Sequence, residues 1–204
     1  MKTSNYILIA LFSFIIVSTL VLFIAAIGHE NDYYGGAQFD KKEYSLEDFS
    51  TIVVEPNLHV EFNSSENNSL SFYFPKGQEV NEKPFRIIND TLFVCHIADF
   101  NSLNLKVSGS ELSTIVAKSN SRVRLNHFNS KTLSVDIQQA NFTLDNSEIG
   151  KLNILGNKAE ILAYSNKIES LSARLKNGAS LDIKRNVNKV DIEKDETSRY
   201  FLYR

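Results

Sequence analysis

The sequence predicts an all-β fold: a single-stranded β-solenoid with a leading β-hairpin region, preceded by one N-terminal transmembrane helix. Three observations carry this reading. Leu133, Leu152, Leu171 and Val190 recur every 19 residues, and Val135, Ile154, Ala173 and Ile192 follow two residues later in the same register. Within each interval, apolar and polar residues alternate with the period of a strand. Ahead of all this, residues 7–27 form an uncharged apolar run of 21 residues. A unit as short as the repeat cannot bury its apolar face alone, so successive units must stack as coils.

The apolar run comes first in the chain. At 1.5 Å per residue a helix of that length spans about 31 Å, the thickness of the bilayer hydrocarbon. Lys2 and the amino terminus precede it, while His29, Glu30 and Asp32 follow it. The positive-inside rule then keeps residues 1–6 cytoplasmic and exports the rest, so 7–27 reads as a signal anchor in the cell inner membrane, the membrane being the first partner of the chain. The competing reading is a cleaved signal peptide, for which Ala26-Ile27-Gly28 offers a small-x-small site. The run exceeds the usual apolar core of such peptides, which favours the anchor. Residues 28–43, with Gly35-Gly36 and several charges, read as a juxtamembrane linker.

The exported domain is then 44–204. Phe49 to Val54 and Leu58 to Phe62 read as strands separated by Pro56-Asn57. Leu70 to Phe74 alternates again and stops at Pro75. Phe85 to Ile87 and Leu92 to Val94 flank Asn89-Asp90, the signature of a β-hairpin. Leu103 to Val107 opens a further strand. The coils follow, with predicted inward residues Ile115, Ala117, Val123 and Leu125 in the first. The second has Leu133, Val135, Ile137, Phe142, Leu144 and Ile149. The third has Leu152, Ile154, Gly156, Ile161, Ala163 and Ile168. The fourth has Leu171, Ala173, Leu175, Leu181, Ile183 and Val187, and the last has Val190, Ile192, Tyr200 and Leu202. Corners are expected at Ser119-Asn120-Ser121, Ala140-Asn141, Gly156-Asn157 and Asn177-Gly178, because Asn and Gly tolerate left-handed backbone. A heptad coiled coil is excluded by the period of two. A leucine-rich repeat lacks its signature and its helical segment here.

Composition narrows function. With 22 Lys+Arg against 24 Asp+Glu there is no basic footprint for nucleic acid. The single cysteine, Cys95, excludes an internal disulfide and a cysteine-based zinc cluster. Cys95-His96 are adjacent on a strand and point to opposite faces, so they do not form a nucleophile–base pair. His29, His59, His96 and His127 have no ligand spacing. Arg174 and Glu193 fall in neighbouring layers and read as a cross-strand ion pair, not as part of a carboxylate cluster. The sequence therefore assigns no catalytic, cofactor-binding or metal-binding residue. Four Asn-x-Ser/Thr sequons, at Asn63, Asn67, Asn89 and Asn141, are what a chain rich in Asn and Ser contains by chance.

Phe49-x-x-Ile52-x-Val54, Leu58-x-Val60-x-Phe62, Asn89-Asp-Thr-Leu92-x-Val94 and the repeated Leu-x-Val/Ile coils resemble the auto-transporter adhesin, head GIN domain family over roughly residues 44–204. The resemblance implies an exported, often membrane-anchored, right-handed β-solenoid of Bacteroidetes-type bacteria, with no established catalytic residues. The family's Ser-Gly turns are represented by Ser108-Gly-Ser110, whereas later turns use Asn-Lys-Ala and Asn-Gly-Ala. Bactofilin-like polymerising β-helices are a second resemblance, which the leading hairpin region fits poorly. The function expected is a binding or surface-scaffold module, the alternative being a structural module that self-associates into an oligomer or filament. If Ile161, Ala163, Tyr200 and Leu202 face inward, then Leu162, Tyr164, Phe201 and Tyr203 face outward together. Such a cluster marks a contact with an envelope protein, a carbohydrate or a second copy. The competing reading is that these aromatics cap the open end of the last coil.

Overall fold

The computed structural model describes residues 39–97, 104–184 and 187–203, together with Ile16, Ser18 and Thr19. The span at 7–27 and the segments around it thus lie outside the described residues, except that Ile16, Ser18 and Thr19 are helical. No helix among the described residues is long and apolar enough to cross a membrane.

From Phe39 onward the described residues are all-β, and they form a solenoid of about five turns. The turns are β8 (Thr114–Lys118) with β9 (Arg122–Asn126), β10 (Asn129–Gln138) with β11 (Asn141–Asp145), β12 (Glu148–Asn157) with β13 (Glu160–Tyr164), β14 (Lys167–Lys176) with β15 (Ser180–Lys184), and β16 (Val187–Lys194) with β17 (Arg199–Tyr203). Even-numbered and odd-numbered members stack in two separate parallel sheets. Leu133, Leu152, Leu171 and Val190 are direct partners across the even ladder, so the 19-residue interval is the length of one turn. On the odd ladder Ala163 pairs with Ile183, 20 positions on, because the turn at Asn177-Gly178 holds one more residue than its predecessor.

The turns of the first four coils contain residues at positive φ. Ser119, Asn120, Gln139, Lys158, Asn177 and Gly178 make one corner, and His127, Asn146 and Ser165 another. The corner expected at Ala140-Asn141 lies at Gln139-Ala140, between β10 and β11, with Ala140 itself buried. The one expected at Gly156-Asn157 is corrected: both are strand residues of β12, and the corner follows at Lys158-Ala159. The left-handed positions there are Gln139 and Lys158, whose neighbours Ala140 and Ala159 join Ser121 and Ala179 in a column of small buried side chains. A Cβ on Gly156 would stand 3.0 Å from Ile161 Cδ1 and 3.1 Å from Leu175 Cδ2, so its smallness fits the large Ile137 and Leu175 on either side. At a third bend, a Cβ on Gly150 would lie 2.6 Å from the Lys131 carbonyl oxygen, a contact that backbone cannot yield easily.

The predicted inward residues of the first three coils are all buried, as are those of the fourth except Val187, which is half-buried. The last coil departs from expectation. Val190 is 44% exposed, Tyr200 42% and Leu202 42%, because no further layer covers them.

The leading region is less regular. β2 (Thr51–Val54) and β3 (His59–Ser64) form a layer parallel to β8 and β9. On its other side sit β6 (Thr91–Val94) and β7 (Asn104–Gly109), also parallel. The chain therefore goes outward after β3 and returns to the inner side at β8. The expected hairpin is present: β5 (Phe85–Ile88) runs antiparallel to β6, with Asn89 at φ 47° and Asp90 at φ 62° in a two-residue turn. β4 (Ser69–Pro75) lies antiparallel to β7, and β1 (Phe39–Ser45) antiparallel to β4. Residues 39–43, expected in the linker, are thus strand: their backbone groups complete the β4 ladder and Tyr44 packs on Phe72 and Phe85.

Candidate functional site

The outward face of β13, β15 and β17 carries the residues singled out by alternation. Leu162 pairs with Asp182 and Asp182 with Phe201, while Tyr164 pairs with Lys184 and Lys184 with Tyr203. The four predicted residues therefore lie in two adjacent columns, each interrupted by one charged side chain. Leu162 and Tyr164 are half-buried, whereas Phe201 is 44% and Tyr203 50% exposed.

Lys184 joins the aromatic residues. Its Nζ stands 4.9 Å from the Tyr164 ring centroid and 5.8 Å from that of Tyr203. A cation between two ring faces is held by their quadrupoles and fixes both side chains. Phe201 stacks beside Tyr203 with centroids 6.3 Å apart and planes 20° off parallel. Since Tyr200 and Leu202 remain exposed, these rings do not cover the open end; they stand along the side of the solenoid.

Earlier in the stack, Arg124 on β9 donates from Nε and Nη2 to Oδ2 of the buried Asp145 on β11 at 3.0 and 2.7 Å. Arg122, Arg124, Asn141, Asp145, Leu162 and Tyr164 line a shallow open groove of about 590 Å³. Burial pushes the Tyr164 phenol above its ordinary pKa, and the neighbouring Asp182 and Asp145 carboxylates add to this. Asp182 Oδ1 is buried without a hydrogen-bond partner. The face thus combines apolar area with a held cation, a composition suited to non-covalent contact.

Sequence reasoning missed the Arg124–Asp145 pair and the bridging role of Lys184. Each belongs to an outward column, but a diagonal ion pair and a cation over two rings depend on side-chain reach, which spacing does not encode.

The other polar candidates are separate. Cys95 Sγ lies 3.6 Å from the Phe93 carbonyl oxygen, and burial, with the nearby Glu55, pushes its thiol up to about 11. His96 Nε2 contacts the Pro56 carbonyl oxygen at 2.6 Å, so the pair is not directed at a common point. His127 sits in a left-handed corner at φ 52°. Arg174 Nε donates to Glu193 Oε2 at 2.8 Å, the cross-strand pair the register predicts. No group of three or more metal-ligating side chains occurs among the described residues.

No family model matches the chain, and no curated protein matches it. Solved structures do. A "putative adhesin" from Bacteroides fragilis superposes with a TM-score of 0.53 at 13% identity, over 81% of this chain and 96% of that one. A "putative adhesin" from Parabacteroides merdae gives 0.41 at 12% identity over 83% and 97%, and a "Putative lipid binding protein" from Parabacteroides distasonis gives 0.41 at 9% over 83% and 94%. The first of these establishes a shared fold.

Proposed function

We propose that this protein is a membrane-anchored, extracytoplasmic β-solenoid module that binds an envelope protein or carbohydrate and carries out no catalysis. The observation that carries the reading is the lateral face on which Lys184 locks Tyr164 and Tyr203, with Phe201 stacked alongside. Rigid aromatic side chains lose little conformational entropy on binding, which suits them to contact surfaces. The fold it shares with a structure named as an adhesin is consistent with a surface role. Residues 7–27 are the proposed single-pass anchor in the inner membrane, leaving the solenoid outside the cytoplasm, in the periplasm of a Gram-negative cell. Membership of the GIN domain family, and a right-handed winding, the hand that parallel crossovers almost always take, are part of the same proposal.

The test uses the full chain in intact cells. Changing Tyr164 and Tyr203 together to Ser is expected to leave the melting temperature unchanged and to lower crosslinking to the envelope partner. A loss of more than about 2 kcal/mol of stability would make them packing groups and end the binding-face reading. For the anchor, the protein is expected to stay with membranes through an alkaline carbonate wash; a soluble form starting near His29 would overturn it. Self-association is the second reading, favoured by the uncovered last coil.

A further inference from the structure

We infer that the open end of the solenoid, formed by β16 and β17, is a self-complementary surface on which a second copy of this chain docks end to end, giving a closed pair and not a filament. This surface shares β17 with the lateral face, but it is made by the strand edges and the inward residues, and the inference does not depend on the outward face binding anything.

Both strands pair on one side only: β16 ends one sheet and β17 the other. Each leaves a row of backbone donors and acceptors open, the feature that invites pairing with another chain. Between the two edges Val190, Tyr200 and Leu202 are exposed, although they continue columns whose members in the three preceding coils are buried. Natural edge strands are protected by inward charges, proline or a bulge. β16 and β17 contain no proline, and of the residues that continue the buried columns onto this end only Lys194 is charged.

The residues on β16 fit a copy of themselves. A two-fold axis perpendicular to the solenoid sets β16 antiparallel to its counterpart. With Val190 on the axis, Val190 meets Val190, and Lys189 meets Asp191 twice. Neither Lys189 nor Asp191 has an ion-pair partner among the described residues. Registering β17 on Phe201 in the same way brings Tyr200 opposite Leu202, so that apolar groups face each other. An isologous contact is satisfied by one partner and does not propagate. The opposite end, edged by β1 and β5, differs in kind: its interior is closed by Phe72, Phe74 and Val80, so no apolar columns are left open there.

The experiment uses the full chain in membranes with Cys95→Ser, so that an added cysteine is the only one. Val190→Cys is expected to give a disulfide-linked homodimer on mild oxidation, because a residue on a two-fold axis meets itself. Leu155→Cys, equally exposed but on the side of the solenoid, is expected to stay monomeric. In the Val190→Cys background, Lys189→Asp should cut the dimer yield, and adding Asp191→Lys should restore it. Tyr164→Ser should leave the yield unchanged, which separates this surface from the lateral one. With the native residues at 190 and 202 replaced by Lys, the dissociation constant of the purified chain should rise at least about tenfold, roughly 1.4 kcal/mol. Monomer at Val190→Cys, equal dimer yield at Leu155→Cys, failure of the charge swap to rescue, or sedimentation of the purified chain as species larger than a dimer would each overturn the closed pair.

Discussion

The two ends of the solenoid solve the same problem differently. At the β1 end, two antiparallel strands, β4 and β1, follow the last parallel layer in one sheet and the hairpin strand β5 follows it in the other, and Tyr44, Phe72, Phe74 and Phe85 pack together, with Tyr44 5.4 Å edge-on from Phe85 and Phe72 6.0 Å from Phe74. At the β17 end the described residues show no such change of pairing, and the last members of the columns are partly exposed. A stack of parallel coils has no intrinsic way to finish, since each layer presents the same ladder as the one before. A change to antiparallel pairing finishes it, because the chain then brings its own cover. The same residue type therefore has very different weight at the two ends.

The sharpest test stays within one column. Leu152→Asp buries a carboxylate between Leu133 and Leu171, and the expected cost is several kcal/mol, enough to threaten folding. In dilute monomer, below the dissociation constant of the end-to-end pair, Val190→Asp, in the same column but in the last coil, is expected to cost under about 1 kcal/mol in thermal or urea unfolding. Equal losses at that dilution would mean that something other than the pair covers the last coil.

A second comparison sets end against end. Phe72 is fully buried in the cap, so Phe72→Ala should cost about 3–5 kcal/mol. Leu202→Ala at the open end is expected near 1 kcal/mol or less, its side chain being already half in water. If the two losses are alike, the contrast between a closed and an open end fails.

The smallest effect is local and depends on pH. Asp195, in the turn between β16 and β17, accepts hydrogen bonds from the backbone amides of Asn177 at 2.6 Å, Ser198 at 2.9 Å and Thr197 at 3.1 Å, and from the Thr197 hydroxyl at 2.9 Å. Led by the Asn177 amide, these donors hold its carboxyl well below the usual carboxylate range. A lowered folded pKa means stabilisation that is present above the unfolded value and lost as pH falls through the folded one. Amide exchange at Asn177 and Ser198 should therefore quicken selectively at strongly acid pH, while the cap amides keep their protection. Asp195→Asn should remove the pH dependence of that step. Unchanged protection of Asn177 in acid would show that the amide is held by its layer and not by the carboxylate.

Much of the architecture is legible in the amino-acid sequence. The inward columns, the length of a turn and the Asn89-Asp90 hairpin each follow from local rules: alternation assigns a face, and a two-residue turn with both φ positive demands residues such as Asn and Asp. The corners are less legible. Gln139 and Lys158 occupy left-handed positions without being turn formers, because the ladders above and below hold them there. Gly156 then reads as a corner by composition, although its place is a strand beside Leu175. The candidate face is half legible. Alternation brings Leu162, Tyr164, Phe201 and Tyr203 to one side, yet Lys184 between the rings and Arg124 on Asp145 rest on the reach of long side chains across layers.

By itself the sequence determined that this chain is a stack of short strands with a 19-residue turn, and which side chains fill it, because both are properties of spacing. Only the tertiary structure decided the order of the layers. β2 and β3 lie between β6–β7 and β8–β9, although the chain passes through β4 and β5 in between. Every layer offers the same apolar columns and the same parallel ladder, so local pattern gives no preference for one neighbour over another. The choice comes from the whole cap, where β1, β4 and the β5–β6 hairpin must sit outermost to shield Phe72, Phe74 and Phe85 from water.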